Sequence, residues 1–341
     1  MRATPPYVPG EQPAAGARVT KLNTNENPYP PSSRVLDAMR EALADTLRLY
    51  PDPEAMALRQ RASEVYGVDV DGIVVGNGSD ELLALLLRAV VDPGGRVAYP
   101  VPTYSLYRTL VSLHGARPVE IPFPDDWRLP PALAAADAAL TFLCNPNAPS
   151  GTFVPVGEVA DLARRVPGVL VVDEAYVDFA RDHALRLVGA LPNVVVLRTL
   201  SKSFSLAGLR VGFAFAHPDV AAGLRTVKDS YNVGRLTQVG ARAALEDLAW
   251  MQHGIERIRA TRAVLAAGLA RLGFVVPPSE TNFVLARAPG RSMAPVAAAL
   301  AARGLLVRHF AVPGLEDALR ITVGTDDEVA RLLGALAELA R

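Results

Sequence analysis

The chain has 341 residues, half of them hydrophobic, and its 35 basic and 35 acidic side chains balance to a formal charge of zero. That length supports about two domains with a sizeable core, and the balanced charge gives no bulk electrostatic reason for nucleic acid or an anionic membrane surface as partner. A single cysteine, Cys144, excludes an internal disulfide framework and a thiol zinc cluster, and its place in an apolar run makes it a candidate small core residue.

The opening MRATPPYVPG is Pro-rich and lacks the apolar stretch of a signal peptide or a membrane span, so a cytoplasmic location is expected. No internal repeat or low-complexity segment is present, although Ala-rich patches occur near 132–139 and 297–302. From Ile73 onward short apolar runs alternate with helical patterns: Ile73–Val75, Val97–Tyr99, Ala139–Cys144, Val169–Val172, Val194–Leu197 and Val211–Ala216 read as buried strands. Between them, Asp80–Val91 is apolar on most sides and predicts a core helix, while Val156–Val166 has the one-sided pattern of a helix facing solvent. This rhythm predicts an α/β fold with a mostly parallel central sheet and helices on both faces.

A long helical stretch with a break is expected over Leu236–Leu272, followed by strands Asn282–Ala286, Leu305–Val307 and Leu319–Val323 and helices Met293–Ala302 and Asp326–Ala340. These form a second, smaller α/β domain, with which the N-terminal residues are expected to pack. The expected division is a large domain over 45–235 and a small one made of 1–44 with 236–341.

Ligands of open parallel sheets sit beyond the carboxyl ends of the strands, and four polar segments follow apolar runs here. Gly76-Asn77-Gly78-Ser79-Asp80-Glu81 opens a helix and can cradle a phosphate on free N–H groups, with Ser79 as cap and donor; an ordinary capped turn is the alternative. Asn145-Pro146-Asn147 can orient a ring substituent or merely satisfy a turn.

Val169–Val172 runs into Asp173 and Glu174, with Tyr176 three residues after the first. A buried carboxylate there needs a partner: a protonated pyridine nitrogen, a salt bridge or Mg²⁺. Lys202, in Thr199-Leu-Ser201-Lys202-Ser203, follows another apolar strand and is either a surface lysine or an amine that bonds covalently to an aldehyde cofactor. Thr199, Ser201 and Arg210 supply hydroxyls and a guanidinium suited to a phosphate.

The order of these segments resembles the fold-type I aminotransferases that depend on pyridoxal 5'-phosphate (PLP). The phrase Leu22-Asn-Thr-Asn25-Glu26-Asn27-Pro28-Tyr29-Pro30 resembles their histidinol-phosphate aminotransferase branch. The resemblance spans nearly the whole chain. It implies Lys202 as the cofactor-bonded lysine and proton shuttle, Asp173 at the pyridine nitrogen, Tyr176 at the ring oxygen and Tyr104 stacked on the ring.

It further implies that Gly78, Ser79, Asp80, Thr199, Ser201 and Arg210 hold the cofactor phosphate, joined by Tyr50 of a second subunit in a homodimer with shared sites. Arg320 takes a substrate carboxylate and Arg308 a carboxylate or the substrate phosphate, with Asn27 in substrate recognition. One departure stands out: Ala148 occupies the position where the family commonly has the asparagine that meets the ring oxygen, and Asn147, or else Asn145, is the expected substitute, with Asn147 preferred. The implied reaction is transamination of L-histidinol phosphate with 2-oxoglutarate, no metal being needed. Alternatives are an aromatic amino-acid aminotransferase, a threonine-phosphate decarboxylase or a PLP-binding regulatory domain, the last disfavoured by the lack of a DNA-binding extension.

Overall fold

The computed structural model describes residues 10–14, 16 and 19–339; Ala340, the expected last residue of the final helix, lies outside them, as do residues 1–9 of the opening segment. In chain order the elements are β1 (Thr20–Leu22), α1 (Ser33–Glu41), α2 (Met56–Tyr66), β2 (Ile73–Gly76), α3 (Gly78–Val90), β3 (Arg96–Val101), α4 (Leu106–His114) and β4 (Arg117–Pro122). There follow β5 (Leu140–Cys144), α5 (Val156–Arg165), β6 (Val169–Asp173), β7 (Val194–Thr199), β8 (Gly212–Phe215), α6 (Pro218–Val227) and α7 (Arg235–Leu245). The last are α8 (Leu248–Arg271), β9 (Phe283–Arg287), α9 (Ala294–Ala302), β10 (Leu305–His309), β11 (Ala318–Thr322) and α10 (Asp326–Leu339).

Seven strands form one sheet in the order β2-β8-β7-β6-β5-β3-β4, in which only β8 runs against its neighbours. Its central strands are continuous apolar runs because both faces are covered. Leu170, Val172, Val194 and Val196 enter one apolar cluster with residues of α2, α5 and α7. Their alternates Val171, Val195 and Leu197 enter another with five leucines of α3 and the buried faces of α4 and α6. Every side chain of α3 that enters this cluster is shielded, which explains its apolar character on most sides.

A smaller sheet has the order β1-β10-β11-β9 and a separate core shared with α8, α9 and α10. Its first strand comes from the N-terminal region, Thr20 pairing with Leu305 and Leu22 with Val307. The expected long helix divides into α7 and α8 at Glu246–Asp247, where the Asp247 carboxylate accepts the hydroxyl of Ser32, the residue that caps α1. Among the described residues no helix is long and apolar enough to cross a membrane.

Candidate active site

Strand register assembles the site. Cys144, Asp173 and Leu197 are neighbours across β5, β6 and β7, while Thr199, Gly212 and Gly76 are neighbours across β7, β8 and β2. Because β8 is antiparallel to both its partners, β2 ends on the same edge as β5 to β7. Residues from all four sequence segments therefore line one cleft, closed from the other side by Arg308, Phe310 and Arg320 of the small sheet region.

At the β2 end, α3 begins without a side-chain cap, and the Glu81 carboxylate accepts the N–H of Asn77. Ser79 is thus not the cap expected from sequence; it sits in the first turn and lines the cleft. The turn is packed against Arg210: Gly78 has φ +78°, and a Cβ there would stand 2.4 Å from the guanidinium. A Cβ on Gly212 would likewise meet the Ser79 nitrogen at 2.8 Å. Arg210 donates to Asp80 at 3.1 Å and to the Ser201 hydroxyl at 3.4 Å, and the Thr199 hydroxyl bonds to that of Ser201 at 2.9 Å. First-turn N–H groups, two hydroxyls and a guanidinium converge here, the donor set an anion requires.

Asp80 joins that set only in part. Its carboxylate bridges Arg210 and the Tyr104 hydroxyl, and a second negative charge beside a phosphate is repulsive, so its backbone N–H is the group able to contribute.

Lys202 lies between this cradle and Asp173, half-buried and lining the cleft, its Nζ 5.6 Å from the centre of the Tyr176 ring. Burial, reinforced by the charge of Arg320, pulls its ammonium down to about 8. Asp173 is 3% exposed, and burial pushes its carboxyl up to about 6 although the Tyr107 hydroxyl donates to it at 2.7 Å. Glu174, adjacent in sequence, turns to the other side of the strand end and pairs with Arg198 at 2.8 Å. The two carboxylates thus serve different partners. Beneath the lysine loop, Arg198 also holds Asp178 at 2.9 Å, and Asp178 accepts the hydroxyl of Ser203.

On the opposite wall, Arg308 and Arg320 are paired residues of the antiparallel β10–β11 ladder, so two guanidinium groups share one face above the cleft. Such an arrangement favours an anionic ligand. Arg320 is oriented by donating to the Asn23 carbonyl at 2.9 Å.

Some residues singled out by the sequence do not face the cleft. Asn147 is the expected substitute for the amide missing at Ala148, yet its amide donates to Ser150 and Pro102 and accepts the Thr103 hydroxyl, so its own turn and the loop after β3 consume it. Asn145 is likewise spent on both polar groups of Val154. Asn27 is expected at the substrate; instead its amide donates to the carbonyls of Lys202 and Ser203 at 3.0 and 3.3 Å and braces the lysine loop from behind. Tyr50 lies outside this cleft, 76% exposed and stacked on Tyr231 with ring centres 4.3 Å apart.

Two contributors carry no assignment from sequence. Tyr107, fully buried, is the hydroxyl partner of Asp173, and Asn25 donates to the Tyr176 hydroxyl at 3.0 Å. Tyr107 sits among apolar residues of α4 and looks like any core aromatic; Asn25 carries only the signal of its asparagine-rich phrase.

The pattern of the family described as aminotransferase class I and II matches residues 17–336. A histidinol-phosphate aminotransferase 1 of Trichormus variabilis is 47% identical over 342 aligned positions, covering 100% of this chain and 98% of its own length. A histidinol-phosphate aminotransferase of Syntrophotalea carbinolica is 46% identical, covering 98% of this chain and 96% of itself. The crystal structure of histidinol-phosphate aminotransferase from Sinorhizobium meliloti in complex with pyridoxal-5'-phosphate superposes with a TM-score of 0.88 at 31% identity, covering 96% of this chain and 92% of that one. Sequence and fold agree over nearly the full length, and the chain belongs to the class I and II aminotransferase family.

Proposed function

We propose that the protein transfers the amino group of L-histidinol phosphate to 2-oxoglutarate, giving imidazole acetol phosphate and glutamate, with PLP held in the cleft. The observation that carries this reading is Lys202: its amine faces the cleft between an anion cradle and a buried aspartate, with its proton affinity lowered to about 8. The donor set fits the cofactor. Ser79, Thr199, Ser201, Arg210 and the α3 N–H groups match its phosphate, and the buried Asp173 matches a pyridinium nitrogen, whose positive charge offsets the cost of keeping that carboxylate ionised. Tyr176 would be the donor to the ring oxygen, and Tyr104, which lines the cleft, would border the ring.

When bound, PLP supplies the electron sink for charge left at the substrate Cα. The chain supplies the rest. Lys202 Nζ would be the residue that holds the cofactor covalently and, when it is a free amine, the base that accepts the Cα proton of the amino donor, for which a value near 8 is better suited than that of an ordinary lysine. Arg320 and Arg308 bind the substrate anion, the carboxylate of glutamate or the phosphate of histidinol phosphate, and so fix the Cα bond to be broken. Asn27, the Arg198 cluster and Ser203 hold the lysine loop in place.

The same reading makes the protein a cytoplasmic homodimer in which Tyr50 reaches the cofactor phosphate of the second copy, and it divides the chain into a large unit over 45–235 and a small unit of 1–44 with 236–341. Kinetics of the purified enzyme with histidinol phosphate and with phenylalanine as donors test the substrate assignment. A ratio of kcat/KM above about 100 in favour of the phosphate is expected, since the dianionic phosphate engages the two arginines more strongly than the single charge of the phenylalanine carboxylate. Equal constants, or turnover retained by Lys202→Ala, would remove the proposal.

A further inference from the structure

The Tyr176 hydroxyl is held in a defined polarity by a buried relay. The backbone N–H of Asn25 donates to Thr322 Oγ1 at 3.0 Å, which leaves the threonine proton to donate in turn to Asn25 Oδ1, also at 3.0 Å. With Oδ1 committed as acceptor, the other end of the amide can only be Nδ2, and it donates to Tyr176 Oη at 3.0 Å. The reverse amide orientation would strand the hydroxyl proton of Thr322, a residue 2% exposed, beside Asn25, which is 1% exposed. Asn282 fixes the same residue by donating to the Asn25 carbonyl at 2.9 Å. Tyr176 Oη is therefore an acceptor toward Asn25, and its own proton is free to point elsewhere. The charged or titratable groups about the ring are Lys202, Arg320, Asp173 and the Cys144 thiol, and among the described residues none accepts that proton. The cleft does.

We propose that Asn25 is a positioning residue that aims the Tyr176 proton into the cleft, making this phenol a one-directional donor to an anionic oxygen of the ligand. This deepens the PLP reading above and rests on it. Ala148 gives the function particular weight: it lines the cleft with no polar side-chain atom, and the nearby Asn145 and Asn147 amides are engaged by other groups of the protein. With those amides turned elsewhere, the direction of the Tyr176 O–H bears directly on how well an anionic ring oxygen is stabilised. The relay also crosses from the small sheet, through Thr322 of β11, to the end of the large one.

The test is the pH titration of the visible absorbance band of the PLP-loaded enzyme, which reports ionisation beside the ring oxygen without any turnover. Asn25→Gly deletes the amide while accepting the left-handed backbone that Asn25 holds at φ 58°. Tyr176→Phe is expected to raise the titration midpoint by about one unit and Asn25→Gly by about half of that, because loss of an aimed donor disfavours the anion. The double variant should match Tyr176→Phe alone, since the amide acts only through the phenol. Thr322→Val, which frees the amide to turn over, should move the midpoint in the same direction and serves if the glycine variant does not fold. A wild-type midpoint in Asn25→Gly or Thr322→Val, or full additivity in the double variant, would overturn the inference while leaving the PLP reading intact. A wild-type protein with no visible band that depends on Lys202 would overturn both, a result readily told apart.

Discussion

Asp173 and Lys202 each hold a charge that burial disfavours. For Asp173 the folded-state value of about 6 lies above the 3.8 of an unperturbed aspartate, so the folded protein binds more protons across that window. Its contribution to stability is thus lost as pH rises from about 4 through 6, a loss of roughly 2–3 kcal/mol at about 1.4 kcal/mol for each pH unit between the two values. Asp173→Asn in the cofactor-free protein is accordingly expected to unfold at higher urea than the parent at pH 8, by about 1–3 kcal/mol, with the gain fading below about pH 4. Urea titrations at both pH values check this. The same substitution should weaken cofactor binding, because an amide offers no charge to a pyridinium. A residue that destabilises the empty fold and strengthens the loaded one is the stability cost expected of a binding site.

Among the elements, the β2–α3 turn shows how backbone geometry governs the anion cradle. Gly78→Ala would put a methyl group into the Arg210 guanidinium at a φ that alanine disfavours, so a drop in PLP affinity of at least about tenfold is expected in an equilibrium titration. Gly94→Ala provides the comparison: its φ is +80° but nothing lies within 4 Å, so about 1 kcal/mol of stability should be lost with affinity unchanged. The strands feeding this turn were readable in the sequence because a strand buried on both faces is an unbroken apolar run, as in Val194–Leu197. By contrast β4, Arg117–Pro122, is a partly exposed edge strand of mixed polarity, and β1 is three residues long, so neither left a periodic signal. That Lys202, Asp173 and Arg210 would come to one cleft was legible from their places after strands. Asn147 and Asn27 misled because linear position does not determine where an amide points: the cis-Pro turn around 147 and the carbonyls of the lysine loop claimed them first. Tyr107 was invisible for the complementary reason, since its one polar atom is satisfied within the core by Asp173.

On the scale of the molecule, Tyr50 stacks on Tyr231 and shares a surface hollow with Leu47 and Leu49, all of them at least 47% exposed. Clustered exposed apolar side chains of this size mark association surfaces. A dimer in which Tyr50 completes the neighbouring site makes a specific complementation forecast. Tyr50→Ala and Lys202→Ala homodimers should both be nearly inactive, whereas a mixed dimer carries both lesions in one site and none in the other, restoring roughly half of a normal dimer's activity. Co-expression with two affinity tags and an assay of the doubly tagged species measures it; no recovery would place each site within a single chain.

The pairing of β1 with β10 also sets a timetable for the newborn polypeptide. Residues 20–22 are synthesised well before 305–307, their hydrogen-bonding mates, and Asn25 waits longer still for Thr322. The seven-stranded layer needs no strand beyond residue 215 and can assemble during translation, whereas the wall bearing both arginines and the brace on Tyr176 is finished only after residue 322 has emerged. Alignment of a coenzyme by that wall and brace would therefore follow the assembly of the larger sheet.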